Sequence, residues 1–289
     1  MSFLDRVHHL PVLGVGVSTE YGAGDRADSL DPVALRAAHP GYARFLEVGV
    51  ETAKGLDRHA EAWAAQHLPT TYHFLDVNLD DPRDVGDVPW LAEVRGLCER
   101  LRPAWLCGDA GLWHVGRRDR GHMLLLPPIL SDASADALAD GIASLRDATG
   151  REVLPENPPG SVYLGDLHLL EFFARVCDRA DTGQLLDVAH LALYQRVTGH
   201  APFDGLDAFP LERVVELHVA GGTERSHDGF AWVEDDHSPE PLPDTWALAE
   251  WLLPRCPNLK AIVYECERNP LSAIVPGFQR IHALWTART

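Results

Sequence analysis

The chain has few cysteines, and none of them forms a recognisable pair. Its five cysteines are scattered along 289 residues, and no CxxC spacing occurs. An odd number of unpaired cysteines predicts neither a disulfide framework nor a cysteine-based zinc site. We expect reduced thiols, as in a cytoplasmic protein, with Cys107 and Cys266 buried and inert on strands.

Long apolar runs are also missing. The N-terminus has no apolar core of the kind found in signal peptides, and no stretch of about 18 apolar residues occurs. The sequence therefore predicts no membrane span and a cytoplasmic location.

Basic residues are scarce relative to acidic ones. Lys and Arg number 25 against 43 Asp and Glu, which gives a formal net charge of −18. A surface of that sign repels phosphate backbones, so we expect no nucleic-acid partner. Most of the acidic excess suits a solvated surface, and part of it is available for a cation site.

The glycines do not complete a phosphate-binding loop. Gly14 and Gly16 alternate in the first apolar run, but no third glycine follows to complete a dinucleotide-binding fingerprint. We interpret them as positions of close packing. Without such a loop, a doubly wound nucleotide-binding sheet is the weaker of the two α/β arrangements.

The sequence does contain a regular alternation of short β-rich runs and amphipathic helical stretches. The predicted strands span residues 13–18, 45–50, 70–75, 104–109, 152–157, 183–188, 214–220 and 259–265. Eight strand–helix units without an internal linker predict one (β/α)8 TIM barrel, a single domain over residues 1–289. The longest irregular stretch, Gly221–Pro243, is expected to be a polar loop.

Ionisable residues stand at the ends of most predicted strands. Seven of the eight strands supply a carboxylate or an imidazole, namely Glu47, His73, Asp109, Glu156, Asp187, His218 and Glu265. Each alone is best explained as a satisfied core group or a helix cap, since buried charges need partners. Together at one barrel mouth they would form a mixed nitrogen–oxygen site for iron, manganese or zinc, with more ligands than one ion needs. These residue types leave an oxidase, a hydrolase and a sugar isomerase open.

Several motifs occur in an order that resembles a known enzyme family. They are Thr71-Tyr-His73, Gly108-Asp109 with Trp113, Leu124-Leu-Leu-Pro-Pro128, Leu154-Pro-Glu-Asn-Pro158, Leu185-Leu-Asp-Val188, Glu216-Leu-His-Val-Ala-Gly221 and Asp235-Asp-His237. Together they resemble the multinuclear non-haem iron-dependent oxidases, which include enzymes of methanobactin and thiaglutamate biosynthesis. The resemblance implies a xylose-isomerase-like barrel that holds two or three irons and uses O2 to modify cysteine in a ribosomally made precursor peptide. It also implies a small partner protein that recognises the leader peptide.

The same resemblance implies a set of iron ligands. By matching position they are His73, Glu156, Asp187, His218, Asp235, His237 and Glu265. Two motifs depart from the family pattern: its Ser-Asp/Glu-His is Gly108-Asp109-Ala110 here, and its Asp-Val-Asn-Asn is Asp187-Val-Ala-His190. We predict that His190 takes over a ligand position, with capping or packing at the start of the next helix as the alternative. Asp109, His114 or His122 would substitute for the other missing ligand, unless one iron is lost.

Two other functions remain compatible with these residues. One is a divalent-metal isomerase or hydrolase on the same barrel. The other is a non-catalytic, partner-binding barrel, which the two lost ligands would allow. Iron content together with oxygen consumption separates the oxidase from the first alternative, and the absence of tightly bound metal would favour the second.

Overall fold

Parallel strands of the chain close into a barrel in the computed structural model, which describes residues 1–19, 29–116, 120 and 124–288. The strands are β1 (Gly14–Thr19), β2 (Phe45–Val50), β3 (Thr70–Phe74), β4 (Leu106–Asp109), β5 (Val153–Glu156), β6 (Gln184–Asp187), β7 (Val214–His227), β8 (Phe230–Ser238) and β9 (Ala261–Glu265). Eight of them pair in the order β6-β5-β4-β3-β2-β1-β9-β7, and the pairing of β6 with β7 closes the ring. The predicted (β/α)8 barrel is confirmed, because a doubly wound sheet would keep open edges.

Most of the helices connect the strands and cover the outside of the barrel, and the first helix precedes the first strand. The helices are α1 (Phe3–Arg6), α2 (Pro32–Ala38), α3 (Arg58–Ala64), α4 (Pro82–Val85), α5 (Val88–Leu101), α6 (Asp132–Thr149), α7 (Leu169–Arg179), α8 (Val188–Thr198), α9 (Pro243–Leu252) and α10 (Leu271–Ala287). Ser131 is the N-cap of α6, because its hydroxyl accepts the backbone N–H of Ser134. Within the described ranges, none of these helices has the length and apolar character needed to cross a bilayer.

The lower half of the barrel interior is filled by apolar side chains. Phe45, Trp105, Cys107 and Leu154 pack there in one buried cluster. Cys107 and Cys266 are both buried free thiols, as predicted. Cys107 lies on β4, whereas Cys266 lies directly after β9 and not on the strand. The apolar filling ends below the carboxyl ends of the strands, so polar side chains occupy the upper barrel.

Helix α1 closes the N-terminal end of the barrel. Phe3 and Val7 are fully buried and join the inner apolar cluster. The backbone N–H of Phe3 donates to the Asp181 carboxylate at 2.9 Å, and Arg6 Nε donates to Glu152 Oε1 at 2.6 Å. These bonds fix the N-terminal segment across the base of the barrel.

The stretch Gly221–Pro243 is not the polar loop that was expected. Strand β7 continues beyond the barrel to His227, turns, and returns as β8 in antiparallel pairing. The turn residues Asp228 and Gly229 have φ angles of 49° and 83°, and such a pair of positive angles defines a type I′ hairpin turn. Asp-Gly is a hairpin signal, but the many charged residues on both sides hide the alternation that marks a strand.

Gly16 is a position of close packing, as interpreted from the sequence. A Cβ atom there would lie 2.3 Å from Phe45 Cε1, inside the barrel. We expect Gly16→Ala to lower the free energy of unfolding by about 1–3 kcal/mol, because a packed core resists added volume. Gly96→Ala is the matched control, since a Cβ at Gly96 meets nothing within 4 Å inside α5. Chemical denaturation checks this, and equal stability of Gly16→Ala and the wild type would contradict it.

Candidate metal centre

Glu156 lies at the centre of a buried cluster at the carboxyl ends of the strands. It is the last residue of β5 and is 1% exposed. Its Oε2 lies 2.7 Å from Nε2 of His73, which enters from β3. Its Oε1 lies 3.3 Å from Nδ1 of His218, which enters from β7. The Glu156 carboxylate thus contacts imidazoles from β3 and β7, which are not neighbours in the barrel.

Asp187 and Glu265 complete the opposite side of the cluster. Glu265 ends β9, and its Oε1 lies 3.2 Å from His218 Nδ1. Asp187 ends β6, and its Oδ2 lies 3.9 Å from the same nitrogen. The other Asp187 oxygen, Oδ1, accepts the backbone N–H of His190 at 2.6 Å and caps α8. The capping bond fixes the carboxylate, so Oδ2 faces the cluster.

His190 connects the barrel to the β7–β8 hairpin. Its Nδ1 donates to the backbone carbonyl of Asn157 at 2.9 Å, and its Nε2 lies 3.0 Å from Asp235 Oδ2. The side chain is 3% exposed and lines the cavity. The capping residue of α8 is Asp187, not His190. The His190 imidazole lies inside the cluster.

The β7–β8 hairpin brings Asp235 and His237 into the cluster from above the barrel. His237 Nε2 lies 3.8 Å from Asp235 Oδ2 and 3.9 Å from Glu265 Oε2. His237 Nδ1 is 2.9 Å from Glu267 Oε1, in the loop after β9. The hairpin is therefore part of the site.

A second acidic layer lies below the cluster. Glu47 Oε1 on β2 is 2.8 Å from His218 Nε2, and Glu47 Oε2 accepts the hydroxyl of Thr71. Glu216 accepts the indole N–H of Trp105 at 2.6 Å. Burial raises the pKa of Glu216 well above its usual range, and the neighbouring charge of Glu47 adds to the shift. Burial therefore disfavours the charged form of Glu216 beneath the site.

The pKa shifts reflect carboxylates and imidazoles crowded together away from water. Burial raises the pKa of Asp187 to about 8, although the charge of His190 opposes this. Burial by itself would lower the pKa of His73, but the hydrogen bond and charge of Glu156 raise it to about 10. Carboxylates with raised pKa values beside imidazoles with raised pKa values are retaining protons, which a bound cation would displace.

Unsatisfied polar atoms also fit a cation. Among the described residues, nothing donates a hydrogen bond to Asp109 Oδ1, Asp187 Oδ2, Asp235 Oδ1 or Glu265 Oε2, although all four atoms are buried. Buried polar atoms without partners are rare in folded proteins. Four groups of three ligand atoms within 4.8 Å of one another occur in this region, and the enclosed cavity has a volume of about 30 Å³. The donor set and the cavity therefore fit metal ions.

The structure brings the eight residues of the predicted metal site together. They are His73, Glu156, Asp187, His190, His218, Asp235, His237 and Glu265. Asp109, one of the proposed substitutes, lines the same cavity. His114 does not, because it pairs with Asp84 at 2.9 Å and with the Gly116 carbonyl at 2.8 Å. His122 lies outside the described residues.

Residues 20–284 match the model of a family described as the RiPP precursor modification enzyme MbnB/TglH/ChrH. The chain belongs to this family. The membership inferred from the motifs is thereby confirmed, and MbnB/TglH/ChrH proteins form a metalloenzyme family that acts on ribosomally made precursor peptides.

The chain is also similar to proteins of known sequence. The chain is 28% identical over 229 residues to a UPF0276 protein of Caulobacter vibrioides. This match covers 77% of this chain and 78% of that protein. It is 26% identical over 261 residues to a UPF0276 protein of Rhizorhabdus wittichii. This match covers 89% of this chain and 88% of that protein.

Among solved structures, a xylose isomerase-like TIM barrel protein from Mycobacterium smegmatis in complex with magnesium has a TM-score of 0.59 at 11% identity, with 98% of both chains covered. The 3-keto-D-glucoside 4-epimerase of E. coli has a TM-score of 0.54 at 13% identity, with 95% of this chain and 99% of that chain covered. At such identities the likeness to these structures shows the fold alone.

Two residues at this MbnB/TglH/ChrH site were not singled out from the sequence. Glu267 contacts His237, and only the pairing of the hairpin with the rest of the barrel brings the two together. Asn157 was noticed only as part of a motif. Its side chain accepts the backbone N–H of Asp187 at 3.0 Å and donates to the Asp187 carbonyl at 2.9 Å. Asn157 therefore fixes the end of β6 against β5.

We expect divalent metal ions to raise the melting temperature of the metal-free protein. A ligand that binds only the folded state adds about 2.7 kcal/mol at a concentration 100-fold above its Kd. Glu156→Ala and His218→Ala should lose most of this increment, because each removes a group at the centre of the cluster. Glu171→Ala, which changes an exposed carboxylate on α7, is the matched control. Differential scanning calorimetry with and without metal measures the increment, and an equal increment in all four proteins would refute the site.

Proposed function

We propose that the protein is a multinuclear non-haem iron oxidase that uses O2 to modify a cysteine in a ribosomally made precursor peptide. The observation that carries this proposal is the composition of the buried cluster. Four imidazoles and four carboxylates converge without a cysteine thiolate. Such a ligand set suits iron and exceeds what one ion requires.

The proposed iron ligands divide between the barrel and the hairpin. His73, Glu156, Asp187, His218 and Glu265 come from strand ends of the closed barrel. Asp235 and His237 come from β8, and His190 comes from the first turn of α8. Glu156 lies within 3.6 Å of His73, His190 and His218, so it would hold metal together with these imidazoles.

Iron bound there would supply the redox chemistry by which O2 accepts electrons from the cysteine substrate. The protein's own side chains define the shape of the site and limit the access of water to it. Leu125 and Pro159 contribute an apolar wall to the otherwise polar cavity. Excluding water protects reactive groups from side reactions.

The surface beside the cavity is suited to a peptide. Large exposed apolar side chains lie on the loops after β4 and β5, namely Leu112, Leu124, Leu126, Ile129, Val162 and Leu164. Three of them, Leu112, Leu126 and Ile129, line a pocket of about 250 Å³. The same pocket is lined by Ala110, which follows Asp109 of the metal cavity. Exposed apolar patches commonly mark binding surfaces. A cysteine at the cavity could thus have a neighbouring apolar side chain in this pocket. A small leader-binding partner protein is the further component that we expect.

The proposal is tested with protein purified without oxygen and loaded with iron(II). We expect iron to be the chief bound metal and O2 to be consumed only when a cysteine-containing precursor peptide is present. The same peptide with Cys→Ser is the control, since it keeps the binding contacts and removes the reacting thiol. Full occupancy by zinc alone, with no oxygen uptake after iron loading, would favour the isomerase or hydrolase. Absence of any tightly bound metal would favour the non-catalytic barrel.

We further expect His190→Ala to bind fewer iron ions per chain than the wild type. The imidazole lies 3.0 Å from Asp235 and 3.6 Å from Glu156, so its removal leaves two carboxylates without a nitrogen donor between them. His200→Ala is the matched control, because His200 is half-exposed just beyond α8. Elemental analysis after anaerobic loading gives the stoichiometry. Unchanged iron in His190→Ala would assign His190 a packing role only.

A further inference from the structure

His237 occupies its place in the cluster in an unusual backbone conformation. Its φ angle is +50°, in the left-handed region that residues with a side chain rarely adopt. It stands near the end of β8, one residue before the strand finishes at Ser238. A histidine that adopts this conformation within a hairpin needs contacts with other elements to stabilise it.

Those contacts come from the loop that follows β9. Asn269 Nδ2 donates to the His237 carbonyl at 2.6 Å and to the Cys266 carbonyl at 3.3 Å. Glu267 Oε1 accepts from His237 Nδ1 at 2.9 Å, and Glu267 Oε2 accepts the hydroxyl of Ser18 at 3.3 Å. Glu267 is 2% exposed, so both its oxygens are committed inside the protein.

The contact with Glu267 determines which nitrogen of His237 faces the cavity. With Nδ1 donating to Glu267, Nε2 is directed toward Asp235 Oδ2 and Glu265 Oε2, at 3.8 and 3.9 Å. His190 is oriented in a comparable way, but by the backbone carbonyl of Asn157. Metal-binding histidines generally donate their second nitrogen to a carboxylate or carbonyl, which fixes the tautomer and the ring orientation.

We propose that Glu267 is a positioning residue that holds His237 in the tautomer that binds metal through Nε2, while Asn269 holds the backbone of His237. This inference rests on the proposed metal-binding function. Glu267 does not itself contact the cavity. It acts through His237, and it couples the hairpin to the end of β9.

The test uses the full chain labelled with 15N-histidine and loaded with Zn2+, a diamagnetic probe. In the wild type we expect the 15N shifts of His237 to report coordination at Nε2 and a proton on Nδ1. Glu267→Ala should lose this signature and bind Zn2+ about 10–100-fold more weakly, which is the usual effect of removing such a partner. Glu267→Gln keeps an acceptor oxygen of the same reach, so it should retain the signature and lie between the two in affinity.

Glu250→Ala is the matched control, because Glu250 is an exposed carboxylate on α9 that pairs with Arg280. It should bind Zn2+ as the wild type does. The melting temperature of each metal-free variant separates positioning from folding. A Glu267→Ala protein that melts like the wild type but binds Zn2+ weakly supports the inference.

Three results would overturn the inference while leaving the proposed function intact. One is wild-type Zn2+ affinity in Glu267→Ala, another is coordination of His237 through Nδ1, and the third is Glu267 bound directly to the metal. Failure of the wild-type chain to bind any metal would be a failure of the proposed function, and the two failures are therefore distinguishable.

Discussion

Closing a ring of parallel strands forces carboxylates together in a place where water cannot screen them. Neighbouring strands are about 4.8 Å apart, so inward side chains at their ends meet whatever their charge. Glu156, Asp187 and Glu265 are all nearly buried, and His218 is within 4 Å of each. Charges of one sign at such spacing are tolerated only when protons or metal ions neutralise them. This constraint explains the raised pKa values of Asp187 and His73. It also explains the buried oxygens without hydrogen-bond donors and the close spacing of the potential metal ligands.

Much of the barrel could be predicted from local patterns, because each strand is a short apolar run with turn-forming residues at its ends. Strand β2 was predicted with its observed limits, and β6 was predicted within one residue at each end. Side chains alternate between the two faces of a strand, and this alternation places His73, Glu156 and His218 on the inner face of the barrel. The site was accessible to sequence reasoning because the fold puts these ends on one face of the barrel.

The parts that escaped prediction depend on contacts between distant residues. The hairpin of β7 and β8 is stabilised by cross-strand pairing and by its position over the barrel, and neither leaves an apolar period in the sequence. Glu267 resembles any surface acid after a strand until His237 is brought to it across 30 positions of the chain. Asn157 likewise acquires its role only when β5 and β6 are adjacent. Local sequence determines which groups stand at strand ends, whereas tertiary pairing determines which groups orient them.

The N-terminal helix affects access to the interior of the barrel. Phe3 and Val7 close the base of the barrel, and the apolar layer of Phe45, Trp105 and Leu154 lies above them. Within the described residues, the base of the barrel is therefore closed, and the candidate metal centre lies at the opposite end, beneath the hairpin. Under the proposed function, metal and peptide would both approach the cluster from this end. Metal would then bind before a peptide covers the cluster.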